Sequence, residues 1–265
     1  MHAAIVPAAA LPPPPSLPVA AVVADAKRPR RDAAAVRRAP ETLHPDLWLG
    51  HQLGRSGAQT LPSGFARLDA ELPDGGWPRG ALSELLLAHP GVGEIRLLAP
   101  ALVATQRAGR LVMLFDPPAA LAAAALAELG FAVDELLVVE TRSDSLWALE
   151  QALKSGHVGA IVAWLPQRLR AERLRRLQLA AHRHDGVAFV LREAAAALRP
   201  TAAPLRVALH AGGADRVQLR VLKRRGPPLE TPLELELPSV LSAAARRRSA
   251  SKARRLPAAT FVDVA

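Results

Sequence analysis

Residues 85–98 constrain this chain more than any other stretch. Leu85-Leu86-Leu87 reads as a short buried strand, Ala88-His89-Pro90-Gly91-Val92-Gly93 as a glycine loop behind it, and Glu94-Ile95-Arg96-Leu97-Leu98 as the opening of a helix. A strand, a glycine loop and a helix in this order form the unit that cradles phosphate in many nucleotide-binding α/β folds. In those, the loop ends in Gly-Lys-Ser/Thr, with the ammonium on the β- and γ-phosphates and the hydroxyl on Mg²⁺. Here Glu94 stands in the lysine's place and Ile95 in the hydroxyl's. A carboxylate about 4 Å from a phosphate oxygen is repelled by roughly 4 kcal/mol at an effective dielectric near ~20. The loop keeps its shape and loses its cation.

The segments around the loop alternate between strand and helix patterns. A helix is expected over residues 94–109, broken or bent near Pro100. An apolar strand follows over 110–115 and ends at Asp116-Pro117-Pro118. Such an unbroken apolar run suits a parallel strand covered on both faces. Further on come an alanine-rich helix over 119–129 closed by Gly130, and a strand over 136–140. A helix over 143–155 is expected to be capped by Ser143 and Asp144. A strand over 159–165, a basic helix over 168–184 and a strand over 186–191 complete the series. This spacing implies a largely parallel sheet layered with helices. After Pro200 the pattern changes: 205–210 and 217–223, joined by Ala211-Gly212-Gly213-Ala214-Asp215, read as a β-hairpin, and 233–237 as a last strand. Upstream, Trp48 is expected to pack a first short element, and 64–72 to form one or two helical turns.

Composition narrows the function classes. Half the residues are hydrophobic, yet no apolar stretch reaches the ~18 residues of a membrane helix. The first 24 residues lack the basic start of a secretion signal and are interrupted by Pro12 to Pro15, so a cytoplasmic protein is expected. There is no cysteine, which removes disulfides, thiolate metal sites and cysteine nucleophiles. The formal net charge of +10 sits in the tails: residues 1–40 hold six basic and two acidic side chains. Residues 241–265 hold Arg246, Arg247, Arg248, Lys252, Arg254 and Arg255 against Asp263. Three parts are therefore expected: a disordered Ala/Pro-rich leader (1–40), a folded body (41–240) and a disordered basic tail (241–265). The tails read either as non-specific attraction for DNA or acidic proteins, or as solubilising ends.

The ordered set Leu61-Pro62-Ser63-Gly64-Phe65-Ala66-Arg67-Leu68-Asp69, then Gly75-Gly76-Trp77-Pro78-Arg79-Gly80, then the strand and glycine loop, resembles the RecA ATPase core. Leu219-Arg220-Val221-Leu222-Lys223-Arg224-Arg225-Gly226 resembles that core's terminal hairpin. In detail the chain is most similar to the ImuA family, through His44-Pro45-Asp46-Leu47-Trp48, the run from Leu68 to Leu98, Phe115-Asp116-Pro117-Pro118 and Leu222-Lys223-Arg224-Arg225-Gly226. These are RecA-like accessory proteins of bacterial translesion DNA synthesis, encoded with ImuB and a second DnaE-type polymerase. The resemblance covers roughly residues 43–240. It implies an α/β RecA-like P-loop core with a mostly parallel central sheet and a C-terminal antiparallel hairpin.

Carried over position by position, the resemblance puts Pro118 where RecA has its catalytic glutamate and Trp164 where it has the aspartate that orients magnesium. With Gly91, Gly93, Glu94 and Ile95 forming the degenerate loop, no catalytic residue, cofactor or metal is expected. It further implies a non-enzymatic adaptor that binds the ImuB-type Y-family polymerase homologue. RecA is a second candidate partner, and the DnaE-type polymerase is engaged indirectly. The alternative is a SulA-like inhibitor of cell division that binds FtsZ; a genuine ATPase with an unusual loop is the third reading. RecA's two DNA-binding loops have short counterparts here, Pro166-Gln167 and residues 192–204, and aromatic residues make up only 3% of the chain.

Other constellations are weaker. The six arginines of the helix over 168–184 read first as a solvated face and second as a DNA or partner contact. His182 and His184 lie two apart and do not converge on a metal, and cationic histidines near a helix C-terminus are expected instead. Gly54-Arg55-Ser56-Gly57 fails the serine-hydrolase spacing. Asp116 is expected to cap the next helix. Trp77 and Trp164 are expected near the vacated nucleotide site, either filling it or anchoring a partner. The tail reading is testable: deleting residues 241–265 should flatten the dependence of DNA affinity on salt concentration. An unchanged slope would discard it.

Overall fold

The computed structural model describes residues 59–141, 144–166, 168–213, 215–227, 229 and 231–240. The leader, Trp48, Gly54 to Gly57, Ser143 and the basic tail with Arg246, Arg247, Arg248, Lys252, Arg254 and Arg255 lie outside the described residues.

The centre of the molecule is β3 (Leu82–Leu87), every residue of which is buried. It is the middle of an eight-stranded sheet that also contains β4 (Leu111–Phe115), β5 (Leu136–Val139), β6 (Val158–Trp164), β7 (Val187–Glu193), β8 (Leu205–Gly213), β9 (Arg216–Lys223) and β10 (Leu233–Glu236). Their spatial order is β10-β9-β8-β3-β7-β6-β4-β5. The pairings from β5 through β8 are parallel; β8–β9 and β9–β10 are antiparallel. The expected mostly parallel sheet with a terminal antiparallel hairpin is therefore present. A short separate ladder joins β1 (Thr60–Leu61) to β2 (Trp77–Pro78).

Strand alternation sorts the helices into two layers. Leu85 and Leu87 face one side and pack with α2 (Glu94–Arg107) and Leu126 of α3 (Ala123–Glu128). Leu82 faces the other side, where α4 (Ser145–Lys154) and α5 (Ala171–Ala181) lie along each other through Leu149, Leu153, Leu174 and Leu177. Helix α2 runs on through Pro100 without a break, contrary to the expectation. Proline deletes one backbone donor, but here the ring is packing material. The short α1 (Ala66–Asp69) follows Gly64, whose φ is +86°, and a Cβ on Gly64 would approach Pro100 Cβ to 2.4 Å. Helices α3 and α5 are shorter than expected. Ala122 and Arg170, at their N-caps, supply no side-chain acceptor to start an earlier turn.

The apolar run of β3 hides one charge. Glu84 is fully buried, and its carboxylate accepts Nη1 of Arg192 on β7 at 2.9 Å and Nε of Arg206 on β8 at 2.7 Å. Arg206 Nη1 also donates to the carbonyls of Ala197 and Arg199, fastening the turn Ala194–Leu198 to the sheet. Burial on its own would raise the Glu84 carboxyl. Hydrogen bonds from Arg206, Thr201 and Arg192 outweigh it and hold the group below its ordinary value of 4.5. A carboxyl depressed in the folded state stabilises the protein above the ordinary carboxylate range, and that contribution is lost as pH falls. Removing one partner from such a buried cluster costs about 3–5 kcal/mol. Glu84→Gln should therefore lower stability by that order at pH 7 in urea titrations, and the gap to the parent should close below pH 4.5.

Candidate functional site

The loop between β3 and α2 opens at the carboxyl edge of the sheet, where open α/β sheets bind their ligands. Two glycines shape it: Gly91 has φ +83°, and Gly93, the N-cap of α2, has φ +113°. Both backbone N–H groups point at one acceptor. Glu94 Oε1 accepts from Gly91 N at 2.9 Å and Oε2 from Gly93 N at 3.1 Å, and the residue is only 4% exposed. The carboxylate sits where the loop amides and the positive end of α2 would otherwise receive an anion. The expectation from sequence was a repulsive Glu94. The structure adds that the group is itself the loop's anion. Ile95, in the first turn of α2, packs half-buried against the apolar core and offers no hydroxyl.

A second contact closes the loop from outside. A Cβ on Gly93 would lie 2.6 Å from Leu237 Cδ1, so the residue just after β10 rests on the loop. Arg96 holds it there. Its Nε donates to Pro238 O at 2.7 Å, and its Nη2 donates to Leu237 O at 3.2 Å and pairs with Asp215 at 2.7 Å. Arg96 and Leu237 are site residues that the sequence did not mark, because Asp215 and Pro238 are more than a hundred positions away from Arg96.

The other carried-over positions fall on the same edge. Pro118 is exposed just beyond β4. Trp164 ends β6, half-buried against the core on the α2 side, with no hydrogen-bond partner for its indole N–H among the described residues. Neither side chain can supply a base or a metal ligand, and among the described residues no group of acidic, His or Cys side chains could hold a metal ion.

Several expectations are corrected. Trp77 lies away from the loop: its neighbour Arg79 bridges to Val187 at the amino-terminal end of β7. Its ring is fully buried edge-on against Phe189, with centroids 5.1 Å apart. Among the described residues the most exposed tryptophan is Trp147 on α4. Asp116 does not cap α3. In a left-handed conformation at φ +50°, it accepts from Thr141 N at 2.6 Å and Thr141 Oγ1 at 2.7 Å, clamping the ends of β4 and β5 together. Asp144 occupies the N-cap of α4, also at positive φ, but makes no side-chain cap bond. His184 is not cationic. It is 2% exposed, and burial pushes its ring below the ordinary value, while His182 stays exposed. Folding therefore favours the neutral ring, so this contribution also weakens as pH falls below about 6.5.

Several known proteins are similar to this chain in sequence. Residues 80–188 match the model of the family "Cell division inhibitor SulA". "Protein RecA 1" of Myxococcus xanthus is 32% identical over 118 residues, 44% of this chain and 34% of that protein. RecA of Symbiobacterium thermophilum is 29% identical over 116 residues, 43% of this chain and 33% of that protein. The cell division inhibitor SulA of Serratia marcescens is 27% identical over 125 residues, 46% of this chain and 74% of that protein. The chain thus spans about a third of the length of these RecA proteins. Together the matches support a relationship to the RecA and SulA superfamily.

Breaking the internal contact has a measurable cost. Glu94→Ala leaves two loop N–H groups without their side-chain acceptor and should lower unfolding free energy by about 1–3 kcal/mol in denaturant titration. Glu94→Gln, which keeps one acceptor oxygen, should recover part of that loss.

Proposed function

We propose that this chain is a non-catalytic adaptor of SOS-induced translesion DNA synthesis, of the ImuA type. It binds an ImuB-type Y-family polymerase homologue, with RecA as a second partner, and so supports an error-prone DnaE-type polymerase in the cytoplasm. The observation that carries this reading is the Glu94 carboxylate seated on Gly91 N and Gly93 N. A triphosphate would have to displace a buried anion from its own loop, without a lysine to receive its charge. Ile95, Pro118 and Trp164 add the loss of the hydroxyl, the base and the magnesium-orienting acid. What is left of a RecA-related scaffold under those losses is a surface for docking, and the relationship to RecA and SulA supports a setting in the response to DNA damage. Among the described residues no helix is long and apolar enough to cross a membrane.

A second reading, a SulA-like inhibitor acting on FtsZ, is favoured by the family match over residues 80–188 and by the 74% coverage of the Serratia protein. Affinity capture of the tagged full chain from DNA-damaged cells separates the two. The adaptor reading expects the ImuB-type protein, with or without RecA; FtsZ in their place supports the second. In parallel, phosphate release from ATP should stay at background with and without single-stranded DNA. Genuine turnover would overturn the non-catalytic reading.

A further inference from the structure

The layer opposite the loop carries a feature that the adaptor reading does not use. Helices α4 and α5 leave between them a groove of about 530 Å³ with an apolar floor of Leu146 and the buried Leu177. One wall is the indole of Trp147, which is 61% exposed, the largest exposed aromatic surface among the described residues. The opposite rim carries Arg173 and Arg176. Arg176 is held in place: its Nε donates to Glu150 Oε2 at 2.6 Å, and Glu150, itself buried, also receives Nζ of Lys154. The Glu150 carboxyl is held below its ordinary value by the Lys154 and Arg176 hydrogen bonds against burial, so the bridge is charged near neutral pH. The groove's remaining acid is Asp144.

The helix behind that rim is strongly one-signed. Arg168, Arg170, Arg173, Arg175 and Arg183 are exposed and make no ion pair among the described residues, with Glu172 the lone acid of α5. Guanidinium groups along a groove attract a chain of negative charge, and a flat aromatic wall accepts the face of a ring. Single-stranded nucleic acid offers both, a phosphate backbone and unpaired bases. An acidic peptide would satisfy the arginines and leave the indole face without a matching planar partner; a duplex keeps its bases stacked inside.

We propose that the α4–α5 groove is a binding surface for single-stranded nucleic acid, with a base stacked on Trp147 and the adjoining backbone phosphates on Arg173 and Arg176. This surface lies on the folded body and is separate from any contribution of the basic tails.

The test uses the full chain and a short oligothymidylate. Tryptophan fluorescence should be quenched on addition of the oligonucleotide, and the quenching should shrink in Trp147→Ala, since Trp77 is buried and Trp164 is half-buried on the other face of the sheet. Affinity should fall about tenfold or more in Trp147→Ala and by much less in Trp147→Phe, in keeping with the ~1–3 kcal/mol of one stacked base. Arg173→Ala should reduce the slope of log affinity against log salt by about 0.7, one phosphate contact on a single strand. All three variants alter exposed side chains, and unchanged melting temperatures establish that they are folded. Quenching by polyglutamate equal to or greater than that by the oligonucleotide overturns the proposal in favour of an acidic protein surface. Binding that survives Trp147→Ala unchanged, or quenching by neither probe, overturns it outright.

Discussion

A helix whose N-terminus opens onto a sheet edge must be given an acceptor for its free N–H groups, and here the first residue of α2 supplies one. Glu94 folds back onto Gly91 and Gly93 and neutralises the positive end of its own helix. Much of the surrounding geometry follows from that arrangement. The loop keeps two left-handed glycines because its amides still have to converge on an anion. Leu237 rests directly on Gly93, and Arg96 spends its guanidinium on Asp215 and the carbonyls of Leu237 and Pro238. A loop of this family type becomes a structural joint.

The two faces of the sheet divide the work. The face covered by α2 and α3 holds the loop, Trp164 and the joint with β10; the face covered by α4 and α5 holds the exposed indole and the arginine row. Between them stands β3, whose alternation sends Leu85 and Leu87 to one side and Leu82 to the other.

The order of strands and helices was legible in the sequence because it is written in local patterns: buried runs for β3, β6 and β7, glycine after the helices, a glycine turn between β8 and β9. The disarmed loop was legible too, since Glu94 and Ile95 stand at fixed offsets from Gly91. Contacts between distant positions were not. Nothing along the chain marks Glu84 as paired, because Arg192 and Arg206 reach it from 108 and 122 residues away. Trp77 was misplaced because its spacing from the loop along the chain says nothing about which end of the sheet the short ladder with Leu61 occupies. Asp116 was misassigned for a related reason: its partner Thr141 lies just beyond the neighbouring strand β5 and not in the helix that follows Asp116. His184 was expected as a cationic histidine near a helix C-terminus, yet it is tucked under Gly186, where a Cβ would meet its Nε2 at 2.6 Å.

The Glu84 cluster has a bearing on how the sheet comes together. Its three members come from β3, β7 and β8, the strands that join the parallel half to the hairpin. A sheet assembled without β8 would hold Glu84 and Arg192 in an apolar layer lacking Arg206 and the carbonyls it fastens, and a sheet without β7 would lack Arg192. Either half-built state is penalised by desolvated charge. The network therefore couples the two halves into one cooperative transition, in which the hairpin is an obligatory part of the folding unit and not an appendage added to a finished core.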